Sequence, residues 1–139
     1  MIIIIDVNVF LSALIKDSTS REILLTYEQE FCFPERSLQK IRKHKSLIQK
    51  KSELSDLDFL KLFHSLLKFI RIIPDEELLD QWDEAMKIMA HIDEEDVTFI
   101  AAALSQNNAV IWSDDKHFEK QDKVFTLKTK DLVNLFENN

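Results

Sequence analysis

Five carboxylates stand where apolar runs of this chain begin or end. Asp6 follows Ile2-Ile3-Ile4-Ile5 at the very start; Asp93 and Asp96 open a stretch that continues into Val97, Ile100 and Ala101; Asp114 and Asp115 follow Ala109-Val110-Ile111-Trp112. An acid directly after four isoleucines must find a partner or a cation, because an unpaired buried charge is costly. Carboxylates gathered in one place repel, and some stay protonated unless a cation joins them. An oxygen-only cluster suits Mg²⁺ or Mn²⁺. Such an ion activates water and stabilises the leaving oxygen of a phosphodiester.

Each acid also has an ordinary reading. Asp93 fits an N-cap, with Asp96 in a favourable first turn. Asp114 fits a turn. Asn8 fits a brace for the loop around Asp6. His44, His64, His91 and His117 show no metal-ligand spacing among themselves and fit solvated or capping roles.

The elements that must position these acids follow from the apolar pattern. Four consecutive isoleucines without polar alternation predict a strand buried on both faces, as in a parallel sheet. Phe31-Cys32-Phe33, closed by Pro34, predicts a second strand; Ile70 to Ile73, 109–112 and 124–127 predict three more. Helices are expected over 8–16, 20–29, 36–51, from Ser55 through Ile70 with Leu57, Leu60, Phe63 and Leu67 on one face, after Asp75, over 94–106 and over 131–136. Short buried strands alternating with helices predict an α/β domain with a mostly parallel sheet. Acids at the carboxyl ends of its strands lie on the rim where such sheets keep ligands.

The composition narrows the classes. With 139 residues, 45% of them apolar, the chain is expected to form one globular domain over 1–139. It contains no glycine, which excludes a phosphate-binding loop or dinucleotide fingerprint in the usual form. The N-terminal apolar run is too short for a secretory leader, and no run approaches the ~18–20 apolar residues of a membrane span. The lone Cys32 fits a buried thiol and a cytoplasmic protein. A net charge of −7 argues against general nucleic-acid binding. The charge is nonetheless polarised: residues 36–51 carry seven of the 18 Lys and Arg and no acid. Arg36, Arg42, Lys43 and Lys45 there are candidates for an RNA backbone, against the plainer reading of a solvated face.

Taken together, Ile2-Ile3-Ile4-Ile5-Asp6-Val7-Asn8, the segment Asp93 to Leu104 and Trp112-Ser113-Asp114-Asp115-Lys116-His117-Phe118 resemble, in order and spacing, the motifs of PIN-domain nucleases. The charged middle from Pro34 to Leu54 is most similar to stand-alone prokaryotic members. The resemblance implies a three-layer α/β/α sandwich with acids around one or two Mg²⁺ or Mn²⁺ ions, cleaving RNA. Carried over by motif, the acids are Asp6, supported by Asn8; Asp96, with Asp93 nearby; and Asp115, with Asp114 beside it and Ser113 as orienting hydroxyl. The family's remaining acid, a glutamate on the helix after strand two, falls here on Lys40, or on Gln39 with a one-residue slip. The expectation is that Lys40 places its ammonium among the carboxylates and weakens the metal site. Glu35 is the nearest acid that could substitute.

Three functions follow. The first is a metal-dependent ribonuclease, the toxin of a toxin–antitoxin pair blocked by an antitoxin protein. The second is a non-catalytic PIN scaffold that binds RNA or protein. The third is a phosphatase of the haloacid-dehalogenase type, suggested by Asp6-Val7-Asn8; Asn8, however, cannot act as its general acid. A homodimer is a further expectation, with Leu62, Phe63, Leu66 and Trp82 forming either core or interface.

Overall fold

The computed structural model describes residues 1–137. Five strands, β1 (Ile2–Ile5), β2 (Glu30–Pro34), β3 (Ile70–Ile73), β4 (Val110–Trp112) and β5 (Thr126–Leu127), form one parallel sheet in the order β3-β2-β1-β4-β5. The chain is a three-layer α/β/α sandwich, as its sequence predicts. β1 is the central strand: Ile3, Ile4 and Ile5 are fully buried, as four apolar residues with helices on both faces require.

The helices are α1 (Val7–Ile15), α2 (Thr19–Thr26), α3 (Glu35–Lys43), α4 (Lys45–Ser52), α5 (Asp56–Leu67), α6 (Asp75–Leu79), α7 (Trp82–Met89), α8 (Val97–Ser105) and α9 (Thr129–Glu137). From β1 the chain steps to β2 and β3; it then crosses back over β1 to β4. With right-handed crossovers this reversal puts the two sets of helices on opposite faces. Accordingly α1 packs with α2, α4 and α5, while α8 packs with α6 and α7. Every residue of α8 from Val97 to Ala103 is buried, and its alanine run lets it approach β1, β2 and β4 closely. Four phenylalanines cross the layers: Phe10 of α1, Phe33 of β2, Phe99 of α8 and Phe118, with successive ring centroids 4.9, 6.1 and 6.4 Å apart.

Several expectations are corrected. The basic stretch 36–51 is two helices broken at His44, and the helix after Asp75 is also two. α1 begins at Val7, directly after Asp6 and one residue before its expected start. The buried face of α5 carries Phe59 and Leu66, whereas Leu57 and Leu60 are 61% and 39% exposed. Leu66 is therefore core; Leu62, Phe63 and Trp82 are half-buried. Without glycine, two turns use left-handed backbone at other residues, Glu53 (φ 60°) and Asn108 (φ 57°). At Asn108 the short amide side chain tolerates this region.

Candidate active site

The reversal of strand order lies between β1 and β4, and ligand crevices of open α/β sheets form at that point, outside the carboxyl ends of the strands. Ile5 is level with Trp112, so Asp6 emerges beside Ser113. Asp6 is 4% exposed. It is the N-cap of α1: one carboxylate oxygen accepts from the Val9 N–H at 3.0 Å, and the Asn8 N–H also bonds it. The other oxygen accepts from the Ser113 hydroxyl. These bonds and the positive end of α1 favour a carboxylate, yet burial outweighs them and pushes the Asp6 carboxyl above its usual range. The nearby Asp115 charge acts in the same direction.

Ser113 joins two strands to a loop. Its Oγ donates to Asp6 and accepts the Asp115 N–H at 3.0 Å. Asp115 then caps a short 3-10 turn over Lys116–Lys120, accepting the His117 N–H at 2.9 Å. That turn aims the His117 ring at the acids. Its Nδ1 lies 3.0 Å from an oxygen of Asp93, 3.4 Å from one of Asp96 and 3.4 Å from one of Asp115. His117 Nδ1 and Asp96 Oδ2 are both enclosed, yet neither has a hydrogen-bond partner in acceptable geometry. Burial, with the charges of Asp93 and Asp115 added, pushes the Asp96 carboxyl up to about 6, against a smaller opposing effect of His117.

The structure thus brings together Asp93, Asp96, Asp115 and His117, with Asp6 and Ser113 hydrogen-bonded to the same loop. Asn8 is exposed and lines, with Val9, Ser12, Ser20, Asp114 and Asp115, a depression beside them. Asp93 combines both readings: one oxygen caps a 3-10 turn through the Glu95 N–H at 2.9 Å, while the other faces His117.

Other candidates go elsewhere. Asp114 turns away: its oxygens accept from the Thr129 N–H at 2.8 Å and the Thr129 hydroxyl at 2.7 Å. Both oxygens of Asp114 are therefore engaged at the start of α9, fifteen residues on, which answers neither the metal expectation nor a local turn. Replacing Asp114 with alanine is expected to cost about 1 kcal/mol, the usual worth of a helix-start partner, and to leave Mn²⁺ affinity unchanged in calorimetry. Lys40 and Gln39 are exposed, and among the described residues no ion pair joins Lys40 to an acid. The expectation that Lys40 sits among the carboxylates is therefore corrected. The basic group there is His117, which sequence spacing does not reveal. Glu35 opens α3 at the same sheet edge but is not among the acids that approach His117. Arg36 pairs with Asp75 at 3.2 Å and lies 4.7 Å over the Trp82 ring, so it is engaged within the fold. Arg42, Lys43 and Lys45 are exposed.

A PIN-domain family model matches residues 4–133. The chain belongs to the PIN-domain family. No curated protein matches it. PIN domains have a nuclease-type fold, typically bind nucleic acid and generally use divalent metal ions. Asp93, Asp96 and His117 each offer a donor atom, and these atoms lie within 4.8 Å of one another, a spacing that could hold one ion. The fit is supported by the two enclosed atoms without partners and by a donor set of carboxylate oxygens and one ring nitrogen. No helix among the described residues is long and apolar enough to cross a membrane.

Proposed function

We propose that this chain is a metal-dependent endoribonuclease in which Asp6, Asp96 and Asp115 are the catalytic carboxylates. The observation that carries this reading is the convergence of acids from three separate places in the chain on one sheet edge, with Asp96 Oδ2 and His117 Nδ1 enclosed and unpartnered. Asp96, Asp115 and Asp93 would hold Mg²⁺ or Mn²⁺, with Asp6 behind them. When bound, such an ion supplies a Lewis acid that lowers the pKa of water and offsets charge on a phosphodiester.

The chain's own residues do the rest. Ser113 fixes the orientation of Asp6 and the backbone of Asp115, so two acids from strands distant in sequence keep one geometry. Carboxylates held this way by the fold need no reorganisation when charge develops. Arg42, Lys43 and Lys45 offer exposed cations for phosphates of the RNA backbone.

The test is cleavage of a single-stranded RNA by purified protein with Mn²⁺, beside Asp115→Asn. Wild type is expected to cleave, and the variant to lose roughly 10²-fold or more, by analogy with removal of one charge-stabilising group. RNA retention in a mobility-shift assay should survive in the variant. If the chain is the toxin of a toxin–antitoxin pair, induced expression arrests growth and Asp115→Asn relieves the arrest.

A specific observation favours a second reading, a PIN scaffold without activity: the helix after β2 carries Lys40 and Gln39, both exposed, where the resemblance calls for an acid. RNA binding without cleavage in either Mg²⁺ or Mn²⁺ would establish it over the first. Family membership sets aside the phosphatase comparison.

A further inference from the structure

We propose that His117 is a direct ligand of the site's cation, and that this nitrogen donor makes the site prefer Mn²⁺ or a later first-row divalent ion over Mg²⁺. The inference rests on the metal-site reading above and adds to it the donor that the motifs do not contain.

Three observations carry it. First, the backbone that carries the His117 ring is held from two sides. Its N–H is bonded to Asp115 at 2.9 Å, and the neighbouring Phe118 is buried against Phe99 in the core. The ring therefore springs from a fixed turn beside the acids. Second, its two edges differ: the side chain as a whole is 40% exposed, yet Nδ1 is enclosed and faces carboxylate oxygens from two sides, Asp93 and Asp96 ahead of α8 and Asp115 after β4. Third, Nδ1 lies 3.0–3.4 Å from oxygens of three carboxylates at once, and the donor atoms of Asp93, Asp96 and His117 fall within 4.8 Å of one another. A single ring N–H serves one acceptor well and cannot satisfy three. A cation at the centre of these atoms satisfies them together.

The chemical consequence concerns selectivity. Mg²⁺ demands oxygen donors and keeps much of its water. Imidazole suits the transition ions, whose affinity for nitrogen-containing sites rises from Mn²⁺ along the first row. Replacing one oxygen donor with Nδ1 therefore penalises Mg²⁺ selectively. The neutral tautomer required carries its proton on Nε2.

The experiment uses Mn²⁺ as probe. Pulsed electron paramagnetic resonance of the Mn²⁺-loaded wild-type chain should show a ¹⁴N coupling from a directly bound imidazole. Competition calorimetry should show Mn²⁺ displaced only by a large excess of Mg²⁺. In His117→Gln the coupling should vanish, and the Mn²⁺/Mg²⁺ preference should fall about tenfold or more. The wild-type spectrum needs no variant, so a folding defect in His117→Gln cannot obscure the answer. Mn²⁺ bound by wild type without ¹⁴N coupling overturns the proposal and leaves the carboxylate site standing. Binding by His117→Gln but not by wild type overturns it too, since the ring would then be the acids' own counter-ion. Absence of binding in both removes this proposal together with the metal-site reading.

Discussion

Asp6→Asn is expected to raise the melting temperature of the ion-free protein at pH 7.5 by a few °C, while weakening its Mn²⁺ binding and RNA cleavage. Burial holds the Asp6 carboxyl above its usual range, so ionising it opposes folding. For an acid whose folded pKa is raised, the favourable contribution is complete below the unfolded value, 3.8 here, and is lost as pH climbs through the folded value. Asp96, pushed up to about 6, acts with the same sign, so the ion-free wild type should lose stability between pH 4 and pH 7. Asparagine removes the Asp6 share of that loss and keeps a carbonyl oxygen for the Val9 N–H. A saturating divalent ion should reverse the ranking: at a hundredfold its Kd it adds about 2.7 kcal/mol to a protein that binds it, and the variant should gain far less. Differential scanning fluorimetry at pH 5 and 7.5, with and without Mn²⁺, checks all of this. A variant less stable than wild type at pH 7.5 without ion would show that the lost acceptor for the Ser113 hydroxyl outweighs the relief of the buried charge.

The largest loss of stability is expected from Trp112→Ala. Trp112 is fully buried on β4 beside β1, its ring lies 5.9 Å from that of Phe31, and its indole N–H donates to Thr129 Oγ1 at 2.9 Å, tying the sheet to α9. Truncating a buried aromatic costs about 3–5 kcal/mol, a large share of the ~5–15 kcal/mol that domains possess. Urea unfolding should show the midpoint falling with an unchanged slope. Trp112→Phe keeps most of the volume and loses the indole bond, so it should cost roughly 1 kcal/mol. Equal losses in the two variants would assign the effect to the Thr129 bond and not to packing.

What could be read from the sequence, and what could not, divides along physical lines. β1 was legible because four buried isoleucines admit no other placement, and Asp6 inherits its position from them. The acids ahead of α8 and after β4 were legible for the same reason. Asp114 and Asp115 were not separable: neighbours in sequence, they diverge by backbone direction, one reaching Thr129 and the other Ser113 and His117. His117 was missed because two of its three partners, Asp93 and Asp96, lie more than twenty residues away, and the neighbouring Asp115 alone does not announce it. The break at His44 was hidden because neither glycine nor proline marks it. The face of α5 was misjudged because apolar residues occur all round it, and only packing decides that Phe59 is inside and Leu57 outside.

The bond between Ser113 and Asp6 closes a span of 107 residues, and it has a consequence for synthesis. Chains emerge from the ribosome amino end first and fold as their parts become available. β1 is made well before its neighbour β4, the Ser113 hydroxyl and the turn that presents His117, which follow it by more than a hundred residues. Until they emerge, the central strand lacks one of its two partners and Asp6 lacks its hydroxyl. The nascent protein, translated on an RNA template, therefore has no assembled acid cluster while the 107-residue span from Asp6 to Ser113 is being made; the cluster forms only once β4 and the loop after it have emerged.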